Sequence, residues 1–243
     1  GRAPDTHDRV DPVTLEIVRY ALQGVVDEMT VTLVRSAYSV NIKTRFDMSC
    51  AVFDRDCQLL AQSEKICQPG FVGALVMFAR KIREAYQKPL RAGDMLVVND
   101  PFLWATHLPD IALFAPLFGP GSDEPYAYLM CIAHHSDVGG RAPGGYVGDT
   151  TEVYQEGVII PPIRLVKEGV LDDEILDFIV ANVRTKHDNI GDFTAQIAAI
   201  RTGQQRFDDL YARYGRNALQ AYTDALLDQA EQRFAIALAE VPD

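Results

Sequence analysis

The sequence predicts a mixed α/β (α+β) fold: a central mixed sheet with flanking helices, followed by a helical C-terminal segment. Short apolar runs bounded by turn-forming residues predict the strands, and helical patterns that dominate after residue 165 predict the tail. The chain has 243 residues, of which 48% are hydrophobic and 23% charged. It is therefore long enough to bury a substantial core.

These patterns divide the chain into three parts. Residues 1–10 are polar and unpatterned, so we expect them to be disordered or left over from cloning. Residues 11–165 form the predicted α/β domain that would bind a metal. Residues 166–243 form a helical segment that we expect to pack on this domain or on a partner.

Two helices are predicted in the first hundred residues. Asp11 offers an N-cap oxygen directly before Pro12, a residue suited to the first turn. Apolar residues then recur every three or four positions from Leu15 to Leu33, and the pattern fades near Tyr38. A second helix is predicted over residues 72–86.

The predicted strands alternate with turns. A β-hairpin is expected over 46–62, and a buried strand over 95–98. Two further strands, 111–118 and 126–133, show no clean alternation, which indicates that both of their faces are covered. The glycine-rich segment 136–157 is predicted to be a long loop, and loops of that length are usually functional.

Helices are predicted to follow the prolines at 161 and 162. Asp172 and Asp173 would cap a helix over 174–183. A second would run over 193–214 and end at Gly215, since glycine commonly ends helices. Asn217 would then cap a last helix reaching about residue 239.

Charge and cysteine usage exclude several classes of protein. The net charge of −11 argues against unaided binding to nucleic acid or to an anionic membrane. There is neither a signal peptide nor an apolar stretch of membrane-spanning length, so we expect a cytoplasmic protein. The cysteines, at positions 50, 57, 67 and 131, form no CxxC motif. Cys131 lies in an apolar run, where a reduced buried thiol is expected.

Two histidine–aspartate clusters are the strongest functional signal. One contains His107 and Asp110, and the other contains His134, His135 and Asp137. Each lies beside a predicted strand. Imidazole nitrogens and carboxylate oxygens are ligands of zinc, manganese and iron, so a metal site follows if the strand ends converge.

Each cluster also has an ordinary explanation. An isolated HxxD motif is a weak indication of a metal, and two adjacent histidines can be satisfied by hydrogen bonds in a core. Neighbouring strand residues point to opposite faces, so only one of His134 and His135 can reach a given position in an intact strand. Asp47 could be a further ligand or could pair with Arg45, and Glu152 and Glu156 could transfer protons or be solvated.

No other chemistry is indicated by motif. The sequence contains neither GxGxxG nor GxxxxGK[ST], so no nucleotide-binding loop can be argued. No serine lies in a GxSxG elbow.

Several stretches together resemble the hydantoinase B family. This family comprises the B subunits of ATP-dependent N-methylhydantoinases, 5-oxoprolinases and caprolactamases, and related subunits of acetone and acetophenone carboxylases. The similarity covers nearly the whole chain from residue 11. The matching stretches, in order, are DPVTLEIV (11–18), NIKTRFDMSCAVFD (41–54), NDPF (99–102), THLPD (106–110), AHHSDVGG (133–140), TEVYQEGVIIPPIRL (151–165), ANVRT (181–185) and DFTAQIAAIRTG (192–203).

The resemblance implies a metal-binding subunit that works with a partner. The implied metal is one divalent ion, zinc or manganese with iron as a further option, and the implied partner is a hydantoinase A-like subunit that uses ATP and Mg²⁺. By motif, the ligands of this metal would be Asp47, His107, Asp110 and one of His134 and His135. The two strand-end histidines and Asp137 are the candidate catalytic residues, with Asp137 supporting the ligands or transferring protons.

The chain departs from the family pattern in three places. The family usually has two glycines where this chain has Trp104 and Ala105, which would reshape the approach to the metal. It also tends to have a histidine where this chain has Phe71. Family members are about twice as long, so a second polypeptide could supply the missing C-terminal half.

Three functional hypotheses follow. The first is the metal-binding catalytic subunit of an ATP-dependent hydrolase of cyclic amides such as hydantoins, oxoproline or lactams. The second is a subunit of an ATP-dependent ketone carboxylase, where Trp104 and Phe71 would suit an aromatic or apolar substrate. The third is a non-catalytic assembly subunit, with the helical tail as its interface.

Overall fold

The computed structural model describes residues 10–64, 66, 68–145 and 147–240. Most of the start predicted to be disordered (1–9), and Cys67, therefore lie outside the described residues. The described chain forms helices and strands with short 3₁₀ turns between them. In chain order these are α1 (Pro12–Ser36), α2 (Val40–Lys43), β1 (Met48–Asp54), β2 (Leu59–Gln62), α3 (Ala74–Ala85), β3 (Met95–Val98), β4 (Asp110–Phe118), β5 (Pro125–His134), β6 (Ile163–Lys167), β7 (Val170–Leu171), α4 (Asp173–Ala181) and α5 (Lys186–Ala239).

The strands form one sheet with the order β2-β1-β5-β4-β3-β6-β7. This confirms the predicted α/β class with a central sheet. Each neighbouring pair in the sheet is antiparallel, however, so the prediction of a mixed sheet was wrong in strand direction. Strands buried on both faces look alike in either direction, because the alternation that distinguishes a half-exposed antiparallel strand is absent.

Helices cover both faces of the sheet. Alternate residues of the central strands contribute to two separate cores. The first core lies beneath α1 and α5 and includes Val52, Leu113 and Leu129. The second lies beneath α3 and includes Phe53, Phe114 and Met130. Burial of each such side chain stabilises the fold by about 2 kcal/mol. The two cores confirm the prediction that both faces of the central strands are covered.

The first helix follows its predicted pattern. The Asp11 carboxylate accepts a 2.9 Å bond from the Thr14 amide, and Pro12 occupies the first turn. The predicted apolar stripe is buried from Val18 to Leu33, and Leu15 is half-buried. None of the helices in the described residues combines the length and apolar character that crossing a membrane requires.

The long helix α5 packs closely on α1 and β5. A Cβ atom on Gly203 would lie 2.5 Å from Met29 Sδ and 2.9 Å from Leu129 Cδ1, so only glycine fits without a shift. The helix begins at Lys186, earlier than the predicted 193. It is interrupted at Gly215, whose φ of 73° and ψ of 165° are non-helical, as the sequence predicted.

The segment after the two prolines was predicted incorrectly. Residues 163–171 form the hairpin β6–β7 instead of a helix. Its turn residues Glu168 and Gly169 both have positive φ, at 49° and 84°. This is the backbone of a tight hairpin turn, so the Glu-Gly dipeptide between two apolar runs was the signal that could have revealed it.

The described cysteines are free and buried. The predicted buried reduced state of Cys131 is confirmed. Burial also raises the pKa of Cys57 to about 11, so this thiol stays protonated and unreactive near neutral pH.

Candidate metal centre

Three adjacent strands bring the candidate ligands to one end of the sheet. Asp110 opens β4 and pairs directly with His134, the last residue of β5. On the other side of β5, Met48 pairs with Ala133, so Asp47 precedes β1 next to His134. Because β1 and β4 are both antiparallel to β5, their starts meet its end at the same edge.

The same register places these side chains on one face. Ala133, Ile111 and Met48 belong to the core beneath α1 and α5. Their chain neighbours His134, Asp110 and Asp47 therefore point to the opposite face, the one that α3 covers.

His107 completes a compact cluster. Its Nε2 lies 3.2 Å from His134 Nδ1 and 3.2 Å from Asp110 Oδ2. His134 Nδ1 lies 3.2 Å from Asp110 Oδ1. The ligand atoms of these three residues all lie within 4.8 Å of one another, and Asp47 Oδ2 lies 3.6 Å from His134 Nδ1. We call these four side chains the acid–imidazole cluster.

Hydrogen bonds hold the turn that carries His107. The Asp110 amide donates to the His107 carbonyl at 3.1 Å, and the Thr106 hydroxyl donates to the Asp110 carboxylate. Behind the turn, buried Asn99 donates to the carbonyls of Leu108 and Val158 at 2.8 and 2.9 Å. The turn is therefore anchored to the sheet.

Backbone bonds also join the segments to each other. The His134 amide donates to the Asp47 carbonyl at 2.9 Å, and the His135 amide donates to the Pro109 carbonyl at 2.8 Å. The relative positions of the three ligand segments are thus set by main-chain contacts as well as by side chains.

The cluster strongly perturbs its own ionisation. Burial opposes the charge of Asp110, but hydrogen bonds from His107 and His134 outweigh it and lower the pKa of Asp110 to about 2. Burial likewise opposes the charge of His107, yet its bond to Asp110 leaves the pKa of His107 raised. For Asp47, burial dominates and raises the pKa. Asp110 is therefore an anion at neutral pH.

We expect the metal-free chain to lose stability on both sides of a pH window. The Asp110 pKa is about 2 when folded and ordinarily 3.8, so its contribution is present above about pH 4 and is lost as the pH falls towards 2. The His107 pKa is raised, so its contribution is present below 6.5 and is lost as the pH rises through the higher folded value. Urea midpoints between pH 2 and 9 measure both effects.

The control for this prediction is His107→Gln, which should lack the alkaline loss. In the same alkaline range, the affinity of the parent protein for a divalent metal should rise with pH, because metal binding displaces the His107 proton. The rise should be up to about tenfold per pH unit and should stop once His107 is deprotonated. A parent curve that matches His107→Gln above pH 6.5 would contradict the prediction.

His135 lies on the opposite side of the strand end. Its Nδ1 is 2.8 Å from Asn189 Oδ1, and its Nε2 is 3.0 Å from Gln196 Oε1. The ring is fully buried and packs against Phe193. Of the two adjacent histidines, only His134 lies in the acid–imidazole cluster.

Asp137 is also separate from the cluster. Its carboxylate accepts bonds from the Arg184 amide at 2.6 Å and from the Arg184 guanidinium at 3.0 Å. The Gly144 amide donates to it at 3.2 Å. Since both oxygens are engaged and the side chain is buried, Asp137 organises the 136–157 loop rather than facing the cluster.

Other predicted residues take different positions. Arg45 lies 3.5 Å from Asn41 Oδ1, while the Asp47 carboxylate faces His134. Phe71 is buried in the core beneath α3. Trp104 is 54% exposed and has a φ of 73°, unusual for a bulky residue. Glu156 accepts a 3.1 Å bond from Thr150, and its charge helps to raise the pKa of His107.

The sequence interpretation missed the buried polar residues of α5. Asn189, Asp192 and Gln196 are all buried: Asn189 faces His135, Asp192 faces the backbone of residues 38–39, and Gln196 faces β4 and β5. Their spacing of three and four residues within a helix was the signal available, since polar residues at the positions of an apolar face need buried partners.

The donor set fits a divalent metal. Two imidazoles and two carboxylates converge, which matches zinc, manganese or iron more closely than calcium or magnesium. Asp110 is already deprotonated at neutral pH, as a ligand must be.

Comparison with known proteins gives the chain a context. A family model described as Hydantoinase B/oxoprolinase matches residues 11–243. An uncharacterized protein of Methanocaldococcus jannaschii is 37% identical over 226 residues, covering 92% of this chain and 39% of that protein. Caprolactamase subunit beta of Pseudomonas jessenii is 32% identical over 234 residues, covering 96% of this chain and 40% of the relative. The chain thus spans about two-fifths of the length of these relatives.

Solved structures share the fold. The crystal structure of the ATP-dependent caprolactamase from Pseudomonas jessenii matches with a TM-score of 0.89 and 31% identity, covering 97% of this chain and 40% of that one. A nucleotide-free acetone carboxylase structure matches with a TM-score of 0.79 and 19% identity, covering 88% of this chain and 28% of that one. At that identity, the second match shows the fold alone.

Proposed function

The chain belongs to the hydantoinase B/oxoprolinase family, and from this we propose that it is the metal-binding catalytic subunit of an ATP-dependent enzyme that hydrolyses cyclic amides. The observation that carries the proposal is the convergence of His107, Asp110 and His134, with Asp47 beside them, at one end of the sheet. A relative named as a caprolactamase subunit supports the substrate class.

We assign the acid–imidazole cluster as the ligands of one divalent ion, zinc or manganese with iron as the further option. When bound, such an ion supplies Lewis acidity that polarises a carbonyl or a phosphorylated imidate. The chain contributes the rest: Asp110 stays anionic, and His107 gives up its proton as a ligand must. His135 and Asp137 are assigned supporting roles, because their polar atoms are engaged elsewhere.

Glu156 replaces Asp137 as our candidate for proton transfer. It is half-buried, and its charge acts on His107. Gly145 packs between Glu156 and Pro109. A Cβ atom added to Gly145 would lie 3.3 Å from the Glu156 carbonyl oxygen and 3.2 Å from Pro109 Cγ. Glu156 thus belongs to the loop that packs against the ligand turn, whereas Asp137 is bonded to Arg184.

We also propose that the chain works in a heteromeric complex. The expected partner is a hydantoinase A-like subunit that uses ATP with Mg²⁺. Exposed aromatic side chains support further contacts: Phe102 and Tyr154 are each 75% exposed, and Phe234 is 70% exposed.

The test is to isolate the complex through a tag on this chain, from its own cells, and to assay it. We expect one bound divalent ion per chain and ATP-dependent opening of hydantoin, 5-oxoproline or caprolactam. Removing the metal with a chelator should abolish turnover, and re-adding zinc or manganese should restore it. A complex without the ATP-using subunit is the matched control.

Two other outcomes would replace the proposal. ATP-dependent consumption of acetone or acetophenone with bicarbonate would identify a ketone carboxylase, the alternative that the exposed Trp104 near the ligand turn favours. A complex with neither metal nor turnover would identify an assembly subunit.

A further inference from the structure

The first turns of α5 bury three polar side chains against the rest of the domain. Asn189, Asp192 and Gln196 are at most 1% exposed, although the other buried residues of α5 as far as Leu219 are apolar. Buried polar side chains generally stabilise less than apolar ones unless they are fully bonded. Their partners therefore indicate what they do.

Gln196 bonds two ligand-bearing strands at once. Its Nε2 donates to the Ile111 carbonyl at 2.9 Å and to the Cys131 carbonyl at 3.1 Å. Ile111 directly follows Asp110 on β4, and Cys131 lies three residues before His134 on β5. One amide group thus joins β4, which begins with Asp110, to β5, which ends with His134.

His135 links the end of β5 to the same helix. Gln196 Oε1 and Asn189 Oδ1 face its two ring nitrogens at 3.0 and 2.8 Å. The Asn189 amide nitrogen donates to the Thr185 carbonyl and hydroxyl, so the orientation of its oxygen is defined. Both ring nitrogens of His135 thus face amide oxygens of α5, and the nitrogen that carries the proton donates a buried bond to the helix.

Asp192 holds the segment that leads to Asp47. Its Oδ1 accepts bonds from the amides of Tyr38 and Ser39 at 2.8 and 3.0 Å. Ser39 caps α2, and within α2 the Asn41 carbonyl accepts the Asp47 amide at 3.0 Å. The third ligand segment is therefore attached to α5 as well.

We propose that Asn189, Asp192, Gln196 and His135 form a positioning scaffold that sets the spacing of the metal ligands from the opposite side of the sheet. These are positioning residues: they contact the segments that carry Asp47, Asp110 and His134, and touch none of the ligand atoms. The inference rests on the proposed metal-binding function and extends it to α5.

The test uses Gln196→Met and Asn189→Leu, which remove scaffold bonds, including the contacts with His135, and substitute none of the proposed ligand residues. The matched control is Phe207→Leu, a buried residue about three turns further along α5 that packs on Tyr126 at the other end of β5. It disturbs the same helix and core without touching a ligand segment. Two variants are used so that one can report if the other does not fold.

The first readout is amide hydrogen exchange in the metal-free protein. The amides of His134 and His135 bond Asp47 and Pro109, so they report whether the segments stay together. We expect their exchange to accelerate in both scaffold variants relative to amides in the middle of β4 and β5. In Phe207→Leu, that ratio should stay at its parental value.

The second readout is Mn²⁺ affinity at a temperature where every variant is folded. Loss of a supporting bond around metal ligands typically weakens affinity about 10- to 100-fold, and we expect that loss in both scaffold variants and not in Phe207→Leu. A parental exchange ratio, or parental Mn²⁺ affinity in both variants, would overturn the scaffold. A parent chain that binds no divalent ion would overturn the proposed function instead, and the exchange ratio would still decide the scaffold.

Discussion

Replacing His134 with alanine is expected to abolish divalent-metal binding. Its Nδ1 is the central atom of the acid–imidazole cluster, at 3.2 Å from both His107 Nε2 and Asp110 Oδ1 and 3.6 Å from Asp47 Oδ2. Loss of a supporting partner alone weakens metal sites about 10- to 100-fold, so loss of this proposed ligand should cost more than about 100-fold. Calorimetric titration with Mn²⁺, Zn²⁺ and Co²⁺ measures the change.

Thermal unfolding gives an independent measurement of the same loss. Free metal at about 100 times its dissociation constant stabilises a folded protein by about 2.7 kcal/mol, so the parent melting temperature should rise with metal and that of His134→Ala should not. His107→Ala, which removes a partly exposed proposed ligand, should behave similarly. His187→Ala is the control, since His187 is exposed and lies outside the cluster. Parental affinity in His134→Ala would show that the metal binds elsewhere.

Replacing Gly140 with alanine is expected to destabilise the fold by about 2–5 kcal/mol. Its φ of 74° costs an ordinary residue about 1–2 kcal/mol. A Cβ there would also lie 2.6 Å from the Gln155 carbonyl oxygen and 2.6 Å from the Glu156 carbonyl carbon. These are backbone atoms that cannot rotate away, so the overlap adds about 1–3 kcal/mol. Urea unfolding of the parent and the variant gives the difference.

Gly144 provides the matched control for this substitution. Its φ is 80°, but the nearest atom to its Cβ position is the Ser136 carbonyl oxygen at 3.9 Å. Gly144→Ala should therefore show only the backbone cost of about 1–2 kcal/mol. Equal losses in the two variants would mean that the 136–157 loop does not hold the close approach between Gly140 and residues 155–156.

Local chemistry made the boundaries of many elements predictable. Asp11 and Pro12 mark the start of α1, the strand 95–98 lies where its apolar run does, and Gly215 interrupts α5. In each case the boundary is set by residues close to it in the sequence: a helix cap, a run of apolar side chains or a glycine with non-helical backbone angles.

Pairing between distant segments was not predictable in the same way. Strand direction and register depend on which buried surfaces meet, and β4 and β5 are apolar on both faces. The sequence could therefore nominate His134 and His135 together but could not choose between them. The choice required knowing that Ala133 faces α1 and α5.

In the candidate site, too, the residues indicated by local sequence were predictable and their long-range partners were not. His107, Asp110 and His134 were identified from residue type and spacing, and Asp47 was supported by family resemblance; the structure places all four together. Asp137 was nominated by proximity in sequence, which says nothing about its bonds to Arg184, 47 residues away. The α5 residues that contact the ligand strands are more distant still.

The alternation of side chains at the end of β5 places two neighbouring imidazoles in different environments, His134 among the carboxylates and His135 against α5. A slip of a single residue along β5 would exchange them, turning His135 towards the carboxylates and burying His134 against α5. Insertions or deletions inside this strand should therefore be far less tolerable than similar length changes in the polar connection 119–124. The two histidines keep their separate environments only while the residue register of β5 is preserved.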